Sequence, residues 1–532
     1  MLPLHQNIDY DYPVSNSLFE LPTLLSFLFL TGILFCAQRL FSKYRLLSFS
    51  IFWFFLALLP ESSIIPIKDV IFEHRLYLPM VGYCMFLVSG AYYLFGKNSL
   101  IMMVIALSVI IGCNSILTYQ RNKAWKDEFT LWDDAVRKSP HKARPYNNRG
   151  FAYVKQEKLT LAILDFNKAI ALNPKFADAY NNRGLIYYDQ GHLPQAMSDF
   201  YKDIELDPGY VKAYDNLGTV FNKEGDLTKA LSNFSKAIGL DEHLTEAYIN
   251  RGVIYGKLNN FTGALSDFNK ALELDPGSAE AYANRGIIYA KQNDFTEAFP
   301  DFNKAIAINP KYAEAYNNRG SAYNKQHNFT QAILDYTKAI EMDPKYDEAY
   351  YNRGITYAIL GNIAQALLDY NKAVKINPNY DEVYTSRGVI YAKQGKFSQA
   401  ISDLSKAIEI KPQDAEVYDN LGLSYDKEGD LPQALFNYNK AIESNPHNAD
   451  AYFNRGNTYG ELNNFTQAIA DYSNAIAINP DYAGAYNNQA IAYYRLKEYS
   501  DAWGDVHKIE RLGGAVNPGF LNALSQATGG GQ

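Results

Sequence analysis

The chain has 532 residues, 48% of them hydrophobic, with 50 basic against 57 acidic side chains and a net charge of −7. Mild acidity without a basic block argues against nucleic acid as a partner, because phosphates call for a cationic surface. A mean hydropathy of −0.26 conceals two unlike parts, an apolar one within 21–120 and a periodic one over 143–516. That division excludes a single compact globule and a freely soluble chain.

The predicted elements begin with four uncharged runs, Leu21–Gln38, Leu46–Pro60, Leu76–Gly96 and Asn98–Gln120. A membrane-spanning helix needs roughly 20 apolar residues at about 1.5 Å each. The first, third and fourth runs satisfy this. The second is shorter, but Phe49, Phe52, Trp53, Phe54 and Phe55 suit a lipid or interfacial setting. No basic segment precedes Leu21, and further runs follow, so a cleaved signal peptide is not expected. Arg39, Lys43 and Arg45 in the first short loop favour the cytoplasm. With four spans, both termini and everything after the fourth run are then extracytoplasmic. Arg121, Lys123 and Lys126 pull the other way, and the sides exchange if the second run does not span. Cys36, Cys84 and Cys113 all lie in the apolar runs and cannot build a disulfide framework or a zinc site.

Between the second and third runs stand Pro60-Glu61-Ser62-Ser63 and Glu73-His74-Arg75-Leu76-Tyr77-Leu78-Pro79. His74 and Arg75 are candidates for holding a lipid-linked phosphate, since guanidinium offers paired donors to phosphate oxygens. The alternative is an interfacial loop that pairs its own charges, Glu73 with Arg75. PESSIIP, EHRLYLP and the later RNKAWKDEFTLWDDAV together resemble the C-terminal membrane portion of the transmembrane and tetratricopeptide-repeat protein O-mannosyltransferases and their bacterial relatives. The resemblance covers about residues 1–140. It implies a glycosyltransferase of the GT-C type that takes sugar from a polyprenyl-phosphate donor, with repeats in the lumen or periplasm. That family's acidic catalytic motif lies in an early extracytoplasmic loop of a longer membrane domain. Asp9 and Asp11 are the only early acids here and sit where a later loop would be. The chain therefore reads as a member lacking its front half, and no turnover is expected of it.

From Tyr146 onward the sequence repeats every 34 residues through eleven repeats. Tyr opens each one, from Tyr146 to Tyr486. Gly follows four residues later from Gly150 to Gly456, with Ala490 in the last. An aromatic follows three further on, from Tyr153 to Tyr493, and Ala162 recurs as far as Ala502. Tyr and Gly at this spacing share one helix face. Small residues let two helices approach, and Asn-Pro or Asp-Pro ends the second helix. Each repeat is thus a helical hairpin that cannot bury its own apolar face, so neighbours stack. This resembles the tetratricopeptide repeat. The fold expected is all-α, N-terminal transmembrane helices followed by a right-handed α-solenoid. Its domains are a membrane domain over 1–120, a degenerate capping half-repeat over 121–142, repeats over 143–516, and a capping helix with disordered tail over 517–532. Trp132, Ala135 and Pro140 carry the register backward, so the fourth span is expected to run directly into the repeats. Pro300, inside a second helix, is expected to kink it or delay its start. Pro194 and Pro432, near helix starts, should be harmless.

Two polar columns bear on function. Arg149, Arg183, Arg251, Arg285, Arg319, Arg353, Arg387 and Arg455 each have Asp sixteen residues later, from Asp165 to Asp471. Where Leu217 and Leu421 replace Arg, the Asp becomes Asn233 and Asn437. Only Gln489 with Asp505 breaks the rule. An ion pair within each hairpin would produce this pattern, because a buried unpaired carboxylate is costly. A ladder of arginines for anionic ligands is the other reading.

The second column is Asn148, Asn182, Asn216, Asn250, Asn284, Asn318, Asn352, Asn420, Asn454 and Asn488, with Ser386 the exception. An amide donates and accepts at once, so such a row can read a peptide backbone. It resembles the asparagine ladder on the concave face of O-GlcNAc transferase. The same residues could instead bond helix to helix. The variable residue after each opening Tyr is expected to tune specificity on the same surface. Asn260-Phe261-Thr262, Asn328-Phe329-Thr330 and Asn464-Phe465-Thr466 read as glycosylation sequons, although their shared position suits descent by duplication. No metal, cofactor or catalytic residue is assigned. The expected function is a membrane-anchored protein that binds extended polypeptide, with membrane lipid and a polyprenyl-phosphate sugar as further partners, in protein O-glycosylation. A non-enzymatic scaffold for an envelope or membrane complex is the alternative.

Overall fold

The computed structural model describes residues 21–58, 77–96, 100–122 and 126–529. Among them every regular element is a helix, 28 in all, and no strand occurs. The chain forms two compact halves, residues 1–259 and 260–532.

The four apolar runs become α1 (Leu21–Leu40), α2 (Arg45–Leu58), α3 (Tyr77–Phe95) and α4 (Leu100–Asn122). Ser48 Oγ donates to the Ala37 carbonyl at 2.6 Å, tying α2 to α1. Gly82 admits the backbone of α2 to α3. A Cβ there would stand 2.8 Å from the Ser50 carbonyl oxygen. Among the described residues, no helix is long and apolar enough to cross a membrane. The four expected spans are thus helical, but the fold does not by itself carry them through a bilayer. Their outward faces are nevertheless strongly apolar, with Leu94 82% and Ile101 76% exposed. His74 and Arg75, Asp9 and Asp11, and the tail Gly530–Gln532 lie outside the described residues.

Helix α5 (Glu128–Lys138) opens with a capping box. Asp127 Oδ1 accepts from the Thr130 amide at 2.8 Å, and Thr130 Oγ1 accepts from the Asp127 amide at 3.3 Å. Residues 123–125, between α4 and α5, lie outside the described residues. Lys155 meets Glu128 at 2.6 Å, joining α5 to the first repeat.

Each repeat is a hairpin of helices A and B, from Ala143–Lys155 with Leu159–Leu172 to Ala483–Leu496 with Tyr499–Arg511. The Gly column sets the distance between A and B. A Cβ on Gly354 would lie 2.6 Å from Tyr370 Cε1, and one on Gly150 would lie 2.7 Å from Phe166 Cε1. A ring of helix B thus fills the space where the side chain of helix A is missing in most repeats, and Leu404 does so opposite Gly388. In the last repeat Ala490 replaces Gly, and the facing residue shrinks to Val506, both fully buried.

Asn260, Asn328 and Asn464, the first residues of the three sequons, each cap a helix B by accepting a backbone amide three residues on. A capping role explains why they share one position. The expected delayed start at Pro300 does not occur. Its helix runs from Phe295 to Ile308, as in neighbouring repeats, behind the cap of Asp294. Pro300 sits on the exposed side early in the helix, where its ring meets solvent. Pro194 and Pro432 fall in the first turn of their helices, where a missing amide costs nothing. Behind the last repeat, helix Pro518–Ala527 buries Leu524 and sets Phe520 edge-on to Tyr494 at 5.7 Å.

Gly354→Ala should destabilise the protein by about 1–3 kcal/mol through overpacking. Combined with Tyr370→Val, which reproduces the small pairing of Ala490 with Val506, the loss should be less than the sum of the two single losses. Urea unfolding followed by circular dichroism measures both.

Candidate ligand-binding face

Within each half, most successive A helices approach one another directly. The A helices therefore share one face of each stack, and their side chains decide what that face offers.

The arginine column is structural. Arg353 Nε and Nη2 donate to Asp369 Oδ2 and Oδ1, both at 2.8 Å. The same two-pronged pair joins Arg149, Arg183, Arg285, Arg319, Arg387 and Arg455 to their aspartates. Each guanidinium also lies against the opening Tyr of its repeat, as Arg353 does over Tyr350 at 5.8 Å. These contacts account for one Tyr column. A third partner was not visible in the two columns alone. Nη1 reaches a polar side chain sixteen residues earlier, Thr337 for Arg353 at 3.0 Å and Asn371 for Arg387 at 2.7 Å. Helix α5 supplies Asp133 to Arg149 in the same register at 2.9 Å. Each arginine thus binds its own helix B and the preceding one. Where Leu217 and Leu421 stand instead, Asn233 and Asn437 turn back to carbonyls of their own helices, at 2.9 and 2.8 Å.

The asparagine amides are half-buried and mostly engaged between repeats. Asn182, Asn216, Asn250, Asn352 and Asn454 donate to the residue thirty-five earlier, namely Asn147, Asn181, Asp215, Asn317 and Asp419. Asn488 donates to Asn457 at 2.7 Å, and Asn420 to the Glu416 carbonyl at 3.0 Å. Asn148 accepts from Asn147 at 3.2 Å. The position after the opening Tyr is hence a contact between repeats. Asn147, Asn181, Ile249, Ala283 and Asn317 are all buried there, so a specificity role on an open surface is corrected for them. Asn284 and Asn318 stand apart. The residues thirty-five before them in sequence are Ile249 and Ala283, which accept nothing. Among the described residues neither amide has a hydrogen-bond partner.

Two buried carboxylates break the pattern. Asp505, opposite Gln489, has lost its arginine. Gln489 turns to Ser473 at 2.6 Å, and Asp505 Oδ2 is buried without a partner. Burial, with Asp501 nearby, pushes Asp505 up to about 7. Asp203 occupies a column that is Ala from Ala237 through Ala475. It is fully buried and neither oxygen is bonded. Burial, then Asp178 and Asp207, raises it to about 7. The sequence signal for Asp203 is its polar departure from an alanine column whose other exception is Ile509 in the last repeat.

Arg353→Leu leaves Asp369 buried and unpaired, so a loss of about 3–5 kcal/mol is expected in chemical denaturation. Adding Asp369→Asn, after the Leu217 and Asn233 precedent, should restore most of it. Folded Asp203 keeps a proton that the unfolded chain releases from about pH 4. Its contribution therefore weakens as pH rises from there to about 7 and is level above. Asp203→Ala should reduce this slope in the urea midpoint and give a higher midpoint than wild type at pH 8.

Sequence comparison places tetratricopeptide-repeat matches at residues 177–210, 211–243, 245–278, 279–312, 313–346, 347–380, 369–402 and 449–482. Further repeat matches cover 152–191, 388–429 and 424–463. Protein O-mannosyl-transferase Tmtc3 of Drosophila melanogaster is 31% identical over 159 residues, 29% of this chain and 17% of that protein. Protein O-mannosyl-transferase TMTC3 of Homo sapiens is 29% identical over 116 residues, 21% of this chain and 13% of that protein. The chain thus spans less than a fifth of either relative. Among solved structures, a tetratricopeptide repeat protein from Parabacteroides merdae is 23% identical, covering 47% of this chain and 98% of that one, with a TM-score of 0.39. YrrB, described as a TPR protein with an unusual peptide-binding site, is 29% identical, covering 35% of this chain and 95% of that one, with a TM-score of 0.30. The matched repeats together cover more than half of the sequence, and the chain belongs to the tetratricopeptide-repeat family.

Proposed function

We propose that the protein is a membrane-anchored tetratricopeptide-repeat protein that captures extended polypeptide on its A-helix face, in the service of protein O-glycosylation on the extracytoplasmic side. The observation that carries the binding role is the pair of unspent amides, Asn284 and Asn318, among neighbours whose amides are bonded. An amide without a partner on the A-helix face can meet both groups of a peptide bond. Similarity to the O-mannosyl-transferases supports the link to glycosylation. The exposed apolar faces of α1 to α4 support anchoring, since surfaces of that kind are stable only when covered. His74 and Arg75 are the proposed contact for a polyprenyl-phosphate headgroup. The scaffold reading draws on a different observation, that most ladder amides are spent holding repeat to repeat.

Asn284→Ala with Asn318→Ala should weaken the binding of extended fluorescein-labelled peptides to the full chain about tenfold, read by anisotropy. Unchanged affinity would remove the backbone-reading role. In cell membranes washed with alkaline carbonate, the chain should stay in the pellet; release into the supernatant would overturn the anchor.

A further inference from the structure

We infer that helix A of repeat 10 (Ala449–Glu461), flanked by the A helices of repeats 9 and 11, is the place where a bound polypeptide is anchored, with one apolar side chain entering the gap left by Gly460. This rests on the peptide-binding reading above and names where and how such a segment is held.

A cavity of about 480 Å³ opens here, lined by Leu423, Asn454, Asn457, Gly460, Ile491 and Arg495 among others. Gly460 is one cause. The equivalent position is Asp426 in the repeat before and Tyr494 in the repeat after. A Cβ on Gly460 would meet only the Tyr472 hydroxyl, at 3.7 Å. The gap is therefore open volume in front of the helix and is not filled by a ring, unlike the space beside Gly354 or Gly456. Leu423 and Ile491 give it apolar walls, next to Lys427, Glu461 and Arg495, which also line it.

The polar groups are set for a main chain. Asn457 Oδ1 accepts twice, from the Tyr472 hydroxyl at 2.9 Å and from Asn488 Nδ2 at 2.7 Å. This fixes the amide and turns its donors to other use. Among the described residues nothing takes a hydrogen from Asn457 Nδ2. Asn454 is the mirror case. Its Nδ2 is held by both carboxylate oxygens of Asp419, at 3.1 and 3.3 Å, while its Oδ1 accepts from none of the described residues. Positions three apart share one helix face. A fixed donor and a fixed acceptor thus sit side by side, as the C=O and N–H of an extended segment require, next to a recess for a side chain. Asp426 is already committed, to Thr458 at 2.8 Å and Lys427 at 3.1 Å, so the recess itself carries no unpaired charge from that residue.

The test uses the purified full chain in detergent. A phage-displayed library of random dodecapeptides is panned against it, and the enriched sequences are made with a fluorescein label for anisotropy titration. Enriched peptides should share one apolar residue, whose replacement by Ala weakens binding at least tenfold. Gly460→Leu, which fills the recess, should cause a similar loss and make that Ala replacement neutral. Asn457→Asp keeps the acceptor for Tyr472 and Asn488 but removes the donors, and should also weaken binding. Gly460→Ala should bind as wild type and serves with thermal melting as the folding control. If peptides enrich but Gly460→Leu and Asn457→Asp bind them unchanged, this anchoring site is wrong while peptide capture stands. If no peptide enriches, both readings fall.

Discussion

A guanidinium set between two helices must be paired, and that requirement ties each repeat together. The arginine of helix A spends two donor edges on the aspartate of its own helix B and its remaining nitrogen on the helix B before it, as Arg387 does with Asp403 and Asn371. Such an arrangement fixes register, because sliding one hairpin past the next would leave a buried charge uncompensated. The opening Tyr covers the cation, the Gly four residues on admits the large side chain of helix B, and the Ala positions let the layers close. Most of the repeated sequence is the surroundings of one ion pair and one close helix contact.

Stiffness of this kind decides what remains for binding. An asparagine row would be a uniform ladder only if nothing else competed for its amides. Here the neighbouring repeat competes, and it succeeds wherever the residue after the opening Tyr is Asn or Asp. Asn317 shows the outcome. It is fully buried, accepts from Asn352 at 3.0 Å and donates toward Glu348 at 3.2 Å. Where that residue is Ala283, the amide ahead of it is unspent. Which amides are left unbonded is thus local, set by the identity of a residue in the preceding repeat.

The exceptions follow the same physics. Leu217 with Asn233 and Leu421 with Asn437 remove charge from both sides at once, and each Asn finds a backbone carbonyl. Gln489 removes it from one side only, and Asp505 is left with a buried oxygen and a raised affinity for a proton. Asp203 places a carboxyl in an alanine position with no compensation at all. Both acids hold a proton to higher pH, because a carboxylate out of water without a partner is disfavoured.

The hairpin, its period and its internal ion pair are all legible in the amino-acid order. They depend on residues within one repeat, and a period of 34 with Arg and Asp sixteen apart leaves few other ways to satisfy a buried charge. The same order places helices on the four apolar runs, although it does not foretell that no described helix meets the length and apolarity of a span. Three features are settled by packing instead: which amides are available, what the residue after each Tyr does, and where the face opens beside Gly460. Each of those turns on contacts thirty or more residues apart in sequence, between side chains whose meeting depends on how neighbouring hairpins stack. No periodicity of a single column contains that information.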